Sequence, residues 1–290
     1  MKVFVRKTFF FSFVYFFFLI IFFLLAQPRI GFNVPNFSLG RIVGGVEATR
    51  GEFPHQVTLQ WGMPPLASHQ HFCGGTIIDS QWILTAGHCV LAVPAYGSFV
   101  IKAGKHEIKP VETTEQVVPV VSSYVHEKYV GNVAPYDIAL LKLKTPLKMT
   151  GNVSKISLPK AGAKPTGNTV LSGWGSISAS GGNMPCSLRK AILPIVDFDT
   201  CKRSMEAIVG PSPLHETNVC TGPLTGGLSA CSVSNGDSGG PLILKNADGV
   251  SEVVGVVSWG VMPCGTKGAP SVFTGVASFI DWIELTMKNN

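Results

Sequence analysis

The chain has 290 residues, of which 46% are hydrophobic and 14% charged; this excludes a disordered, solvating protein and leaves room for one large domain or two small ones. Its formal charge of +6 sits at one end: Lys2, Arg6, Lys7, Arg29 and Arg41 precede residue 42 with no acidic residue among them, and the remainder carries only +1. That balance argues against nucleic acid or a strongly acidic partner.

In chain order, the basic residues Lys2, Arg6 and Lys7 are followed by an apolar run from Phe9 to Ala26. A basic segment before a hydrophobic core is the pattern of a secretory signal. The run is also just long enough to cross a bilayer, and Leu24 is a poor residue for a cleavage site ending at Ala26. Residues 1–26 are therefore a signal peptide or a retained signal-anchor, and both place the rest outside the cytosol. The seven cysteines (73, 89, 186, 201, 220, 231 and 264) include no C-x-x-C pair, so export makes disulfides the natural reading. An odd number leaves one thiol over. Asn36-Phe37-Ser38 and Asn152-Val153-Ser154 are glycosylation sequons.

Beyond the leader, short β-branched segments bounded by Gly, Pro, Asn or Asp recur: 56–60, 75–78, 82–85, 116–121, 138–142, 169–173, 191–196, 240–244, 253–258 and 271–276. They predict an all-β fold of barrel or sandwich type. Residues 148–168, rich in Lys, Pro, Gly and Asn, are the best link between two halves. One helix is expected at the C-terminus, where Val276, Phe279, Ile280, Ile283 and Met287 keep helical spacing; it reads as a packing helix.

Four motifs follow one another: Arg41-Ile42-Val43-Gly44-Gly45, Thr85-Ala86-Gly87-His88-Cys89, Asp137-Ile138-Ala139-Leu140 and Gly236-Asp237-Ser238-Gly239-Gly240-Pro241. A serine hydroxyl is a weak nucleophile; it needs a base within hydrogen-bond reach, and the base needs an orienting group. Ser238, His88 and Asp137 supply these three. The remaining histidines (55, 69, 106, 126 and 215, with 71 apart) read as ordinary structural residues.

In these motifs, their order and their spacing, residues 41 to about 287 resemble the chymotrypsin–trypsin family of serine proteases. The resemblance implies two packed antiparallel six-stranded β-barrels with a C-terminal helix and an active site in the cleft between them. It implies a secreted serine endopeptidase in residues 42–290, working through His88, Asp137 and Ser238, with an oxyanion hole from the backbone N–H groups of Gly236 and Ser238. Residues 27–41 become a propeptide. An activating protease with Arg specificity would cut after Arg41, and the new Ile42 ammonium would pair with Asp237. Before the cut, His71 supported by Thr58 is the expected partner of Asp237. The implied disulfides are Cys73–Cys89, Cys201–Cys220 and Cys231–Cys264, with Cys186 free or bridging to another chain. The propeptide contains no cysteine, so nothing tethers it after cleavage.

The same resemblance places Ser229 at the base of the specificity pocket, where trypsin-like enzymes carry Asp, with Gly260 and Ser271 in its walls and Ser258-Trp259-Gly260 as the substrate-pairing strand. The pocket is expected to accept apolar residues. Ser258 should also back Asp137. Two departures stand out. Ser232-Val233-Ser234-Asn235 separate the pocket cysteine from Gly236, three residues more than the family has, and an outward bulge is the expectation. Lys105 sits where the family's calcium loop would carry its first carboxylate, with Glu112 and Glu115 following, so no metal and no other cofactor is expected. The expected partners are protein or peptide substrates, with the mature domain a soluble monomer. The competing function is a catalytically impaired homologue that binds a partner through the same cleft.

Overall fold

The computed structural model describes residues 37–38, 42–43, 45–175, 185–227, 229–230 and 236–290, the first two pairs as backbone alone. The leader, Arg41, Cys231, Ser232 and the Val233–Asn235 insertion lie outside the described residues. Among the described residues no helix is long and apolar enough to cross a membrane.

Three two-residue strands come first: β1 (Phe37–Ser38), β2 (Ile42–Val43) and β3 (Val46–Glu47). Then β4 (Gln56–Met63), β5 (Ala67–Asp79), β6 (Trp82–Thr85), β7 (Ser98–Ala103), β8 (Gln116–Val125) and β9 (Ala139–Leu143) close a barrel in the order β4-β5-β6-β9-β8-β7. In the second half come β10 (Asn168–Gly173), β11 (Arg189–Val196), β12 (Asn218–Thr221), β13 (Ser229–Ala230), β14 (Pro241–Lys245), β15 (Ser251–Val261) and β16 (Ser271–Gly275). Six of these form a cycle, β15-β14-β10-β11-β12-β16, closed by the β15–β16 pairing. Every ladder is antiparallel. The two expected six-stranded barrels are both present, and closure pairs each strand on both sides over the length that its neighbours share.

Alternation along β4 shows how sequence selects the faces. Val57 and Leu59 point into the first barrel and are fully buried, among Ile77, Ile83, Ile101 and Leu141. Gln56, Thr58 and Gln60 are buried on the opposite face, where burial requires hydrogen bonds. Gln56 Oε1 accepts from Ser172 Oγ of β10 at 2.7 Å, a bond between the barrels, and Thr58 Oγ1 meets His71 Nδ1 at 2.7 Å. The polar face of β4 is thus directed at the seam between the barrels.

Three helices complete the described chain: α1 (Gly87–Leu91), α2 (Phe198–Val209) and α3 (Ile280–Asn289). The C-terminal helix begins later than its apolar spacing predicts, because Val276–Ser278 forms a 3₁₀ turn first. Ile280 and Ile283 bury against the first barrel's core, at about 2 kcal/mol each; a ten-residue helix needs such packing, being unstable alone. The sequence reading missed α2, although Asp197 caps it by accepting from Thr200 N at 2.9 Å and Gly210 ends it at φ +75°.

Cys73–Cys89 and Cys201–Cys220 are disulfides, and Cys186 is a free, exposed cysteine. The third expected pair includes Cys231, outside the described residues. In the loop 104–115 the Lys105 side chain is buried, its ammonium 2.6 Å from Glu115 Oε2 and 3.7 Å from Glu112 Oε2, and it donates to the Pro110 carbonyl at 2.7 Å. Carboxylates and a carbonyl around one cation make up a calcium-type donor set, but here a lysine supplies the positive charge. The residues do not fit a calcium ion as well. Calcium or a chelator should therefore leave the melting temperature unchanged, whereas Lys105→Glu should melt several degrees lower and recover in millimolar calcium; a wild-type melting point that falls on chelation would contradict this account.

His55 and His71 are both buried, and burial drives each down to about 4; for His71 a hydrogen bond to the Gly236 carbonyl partly offsets that. In the unfolded chain both titrate near the ordinary value of about 6.5. The folded state therefore binds fewer protons than the unfolded state in this window, so stability is complete above about pH 6.5 and declines as pH falls towards 4. Urea unfolding should show a loss of a few kcal/mol between pH 7 and pH 4.5, with a shallower slope in His71→Gln; equal slopes would remove His71 as a source.

Candidate functional site

His88 begins α1, held there by two constraints. The Cys73–Cys89 disulfide ties α1 to β5, and the His88 backbone N–H donates to Asp137 Oδ1 at 2.9 Å. The ring then lies with Nδ1 2.7 Å from Asp137 Oδ2. A carboxylate oxygen accepts, so Nδ1 carries the proton and Nε2 is left as the basic nitrogen.

Asp137 is buried at 1% exposure and is served from both barrels. Its Oδ2 also accepts from Ser258 Oγ at 2.5 Å, and its own carbonyl accepts from Thr274 Oγ1 at 2.8 Å. Ser258 reaches it because β15 shifts register against β16 between Val257 and Trp259; such irregularities re-aim a side chain. The expectation that Ser258 backs Asp137 has this geometry behind it. The preceding residue carries strain that the sequence reading did not notice. Tyr136 lies at φ +65°, uncommon for a bulky side chain, and its carbonyl accepts from Ile138 N at 2.8 Å, closing a tight turn centred on Asp137. The Tyr136 ring stacks on His126 at 5.1 Å and meets Phe279 and His215 at 5.9 and 5.3 Å. A non-glycine residue immediately before the motif's Asp was the available signal.

The segment 236–240 is stitched in place by its own backbone. Gly240 N donates to the Asp237 carbonyl at 2.8 Å, Gly239 N to Val257 at 2.9 Å, and Gly74 N of β5 to the Ser238 carbonyl at 2.8 Å. Gly239 sits at φ +77°, and a Cβ there would stand 2.2 Å from Thr85 Oγ1 and 2.7 Å from the Gly74 carbonyl; only glycine allows so close an approach to the strand that leads into His88. Among the described residues, the amides of Gly236 and Ser238 donate to nothing, while those of Gly239 and Gly240 are engaged. Two spare N–H groups flanking a serine are the donor set an oxyanion requires.

Asp237, at 1% exposure, accepts from Gly175 N at 2.9 Å through Oδ1. A Cβ on Gly173 would overlap that same oxygen at 1.8 Å, so Gly173-Trp174-Gly175 forms a slot that glycine alone leaves open. Neither glycine was singled out from sequence. His71, expected on Asp237, instead reaches the carbonyl of the preceding residue: its Nε2 is 3.2 Å from Gly236 O. That carbonyl can only accept, so Nε2 donates, and Nδ1 accepts from Thr58. Thr58 supports His71 as expected.

The pocket residues also converge. Ser229 is buried, and its Oγ has no hydrogen-bond partner among the described residues. Ser271 lies opposite Gly260 in the β15–β16 ladder, with its Oγ accepting from Ala230 N at 3.0 Å. A Cβ on Gly260 would come no closer than 4.0 Å to the Ala230 carbonyl, so that wall is open. Trp259 is buried beneath it. For metals, Glu47, His106 and Glu107 offer atoms within 4.8 Å of one another, but Arg50 stands 3.8 Å from Glu107, and the group reads as a local ion-pair network.

Comparison with known proteins agrees with this geometry. The trypsin family model matches residues 42–283. Over 265 residues the chain is 37% identical to a lectizyme of Glossina austeni, covering 88% of this chain and 89% of that protein. It is 36% identical to trypsin-1 of Astacus astacus over 250 residues, covering 84% and 98%, and 33% identical to trypsin of Sus scrofa over 251 residues, covering 86% and 97%. The chain belongs to the trypsin family and is a serine endopeptidase.

Proposed function

We propose that the chain is an exported zymogen, cut after Arg41, whose mature domain 42–290 hydrolyses peptide bonds after apolar residues. The observation that carries the catalytic part is the relay Ser258–Asp137–His88, which leaves His88 Nε2 basic, combined with the two uncommitted amides beside Ser238. Ser238 Oγ attacks the substrate carbonyl while His88 Nε2 takes its proton. The carbonyl oxygen, now an anion, is held by the N–H groups of Gly236 and Ser238. His88 then protonates the leaving amine, and the Ser238 acyl ester remains. Water, deprotonated by His88, repeats the attack and releases the acid. Asp137 keeps the imidazole oriented throughout and stabilises it while it carries the extra proton.

Activation follows from burial. Asp237 is held in the Gly173–Gly175 slot, where a buried carboxylate is stabilised by an opposite charge; the Ile42 ammonium released by cleavage is the cation proposed for it. Pairing orders the segment that carries Gly236, an order–disorder switch. An Arg-specific protease is the activator, and residues 27–41 leave untethered. The basic leader and apolar run support export.

The apolar preference rests on Ser229. The relatives named trypsin do not bring a preference for Lys or Arg with them, because Ser229 stands where trypsin-like enzymes carry Asp. A basic side chain there would bury an uncompensated charge. Ser271 narrows the same space, favouring Leu or Met over large aromatics.

After cleavage at Arg41, a fluorophosphonate reagent should label Ser238, and His88→Ala should abolish labelling and lower kcat roughly 10⁴-fold or more; absence of labelling in fully cleaved wild-type protein would make the chain a binding homologue. Ser271→Gly should raise kcat/KM for Phe and Tyr substrates relative to Leu by about tenfold or more. An unchanged ratio would remove Ser271 from the pocket, and faster cleavage after Arg than after Leu in the wild-type protein would overturn the apolar preference.

A further inference from the structure

β15 has two edges, and they are used unequally. Along 255–260 one edge pairs with β16, ending at Gly260 opposite Ser271. The other edge pairs with β14 only as far as Val256 opposite Pro241. Beyond that point the adjoining segment turns away through Gly240 and Gly239 to Ser238; the last contacts are Val257 N donating to the Gly240 carbonyl and Gly239 N donating to the Val257 carbonyl. At Gly260 and Val261 that edge is not taken by β14, and it lies on the side of the nucleophile. Such an edge is a template for an added strand, and it belongs to the strand assigned above to substrate.

The chain itself already uses that edge. β1 pairs antiparallel with β15, Phe37 opposite Val261 and Ser38 opposite Gly260. Because β16 occupies the other side of Gly260, β1 must lie on the substrate side. Four residues after Ser38, β2 pairs with the pocket strand β13, Ile42 opposite Ala230 and Val43 opposite Ser229. The described residues on either side of Arg41 are thus both paired, Phe37 and Ser38 with β15 and Ile42 and Val43 with β13.

We infer that the propeptide is a ligand of its own enzyme's cleft: the pairing of Phe37 and Ser38 with Val261 and Gly260 blocks substrate in the precursor, and the peptide released by cleavage is a reversible competitive inhibitor. The inference rests on the proposed cleavage at Arg41 and on the substrate role of β15. It is a second lock, separate from the pairing of Ile42 with Asp237, because it acts through the substrate strand and not through the oxyanion segment. The missing tether gives it a consequence: after cleavage inhibition depends on peptide concentration, so activation accelerates on dilution. Backbone pairing carries the binding, so removing N–H groups weakens it whatever the side chains.

The test uses the chain cleaved at Arg41 and freed of its propeptide, with a synthetic peptide of residues 36–41 as probe. On the active protein and a small apolar substrate, the peptide should raise KM with kcat unchanged. Calorimetry on the Ser238→Ala protein should show one-to-one binding, and a peptide with Phe37→Pro and Ser38→Pro should bind at least tenfold more weakly. Absence of binding and inhibition, inhibition that lowers kcat alone, or equal affinity of the proline peptide would each overturn the inference. Binding to the Ser238→Ala protein while the cleaved wild-type protein shows no activity would uphold it and instead reject the catalytic reading.

Discussion

The buried carboxylate of Asp137 is the constraint around which the two barrels are arranged. It stands in the first barrel's chain, immediately before β9, yet it accepts from Ser258 of the second barrel, and Thr274 of β16 donates to its carbonyl. His88 gives it two donors, one from the backbone and one from the ring. A buried charge with too few donors would cost several kcal/mol, so a shift between the barrels that broke these bonds would be opposed by the whole desolvation penalty. Fold and chemistry are coupled here: the interactions that satisfy Asp137 also align the imidazole and hold the cleft at a fixed width.

The same economy does not extend to the backbone around it. Tyr136 adopts a left-handed conformation that costs of the order of 1–3 kcal/mol for such a residue. It is kept there by ring contacts with His126, Phe279 and His215, and by the Lys128 ammonium 5.5 Å from the ring centre. These partners come from the loop after β8, from the turn before α3, and from the segment before β12. The C-terminal helix, which from sequence looked like a packing element alone, is thereby joined through Phe279 to the turn that aims Asp137.

The legible parts of this molecule are those that local rules govern. Short β-branched segments between turn residues located most barrel strands, and the four motifs located His88, Asp137 and Ser238. β7 was missed because Ser98–Ala103 has a lysine and two glycine-flanked ends that blur its alternation, and α2 because its buried face holds only Cys201 and Met205, few apolar residues among many polar ones. The requirements at Gly173, Tyr136 and the register shift beside Ser258 were not legible for a different reason. Each is set by an atom distant in sequence, such as the Asp237 oxygen that would overlap a Cβ at 173. His71 illustrates the limit from the other side: its neighbourhood was anticipated, but the atom it meets, the carbonyl of Gly236 instead of the Asp237 carboxylate, depends on how the 236–240 segment is folded.

The activation and the specificity proposed for this chain share a strand. β13 is two residues long, Ser229 and Ala230, and among the described residues its only sheet partner is β2, Ile42 and Val43. A two-residue ladder has little stability of its own. The position of Ser229 and Ala230 therefore depends on where Ile42 and Val43 lie, and on Ser271, whose hydroxyl is bonded to both the N–H and the carbonyl of Ala230. If Ile42 pairs with Asp237 as proposed, its repositioning would act on the segment 236–240 and, through β13, on Ser229 together. With Phe37 and Ser38 paired to β15, cleavage at the proposed site, Arg41, would bear on β15, on β13 and on the segment 236–240 without a large rearrangement of either barrel.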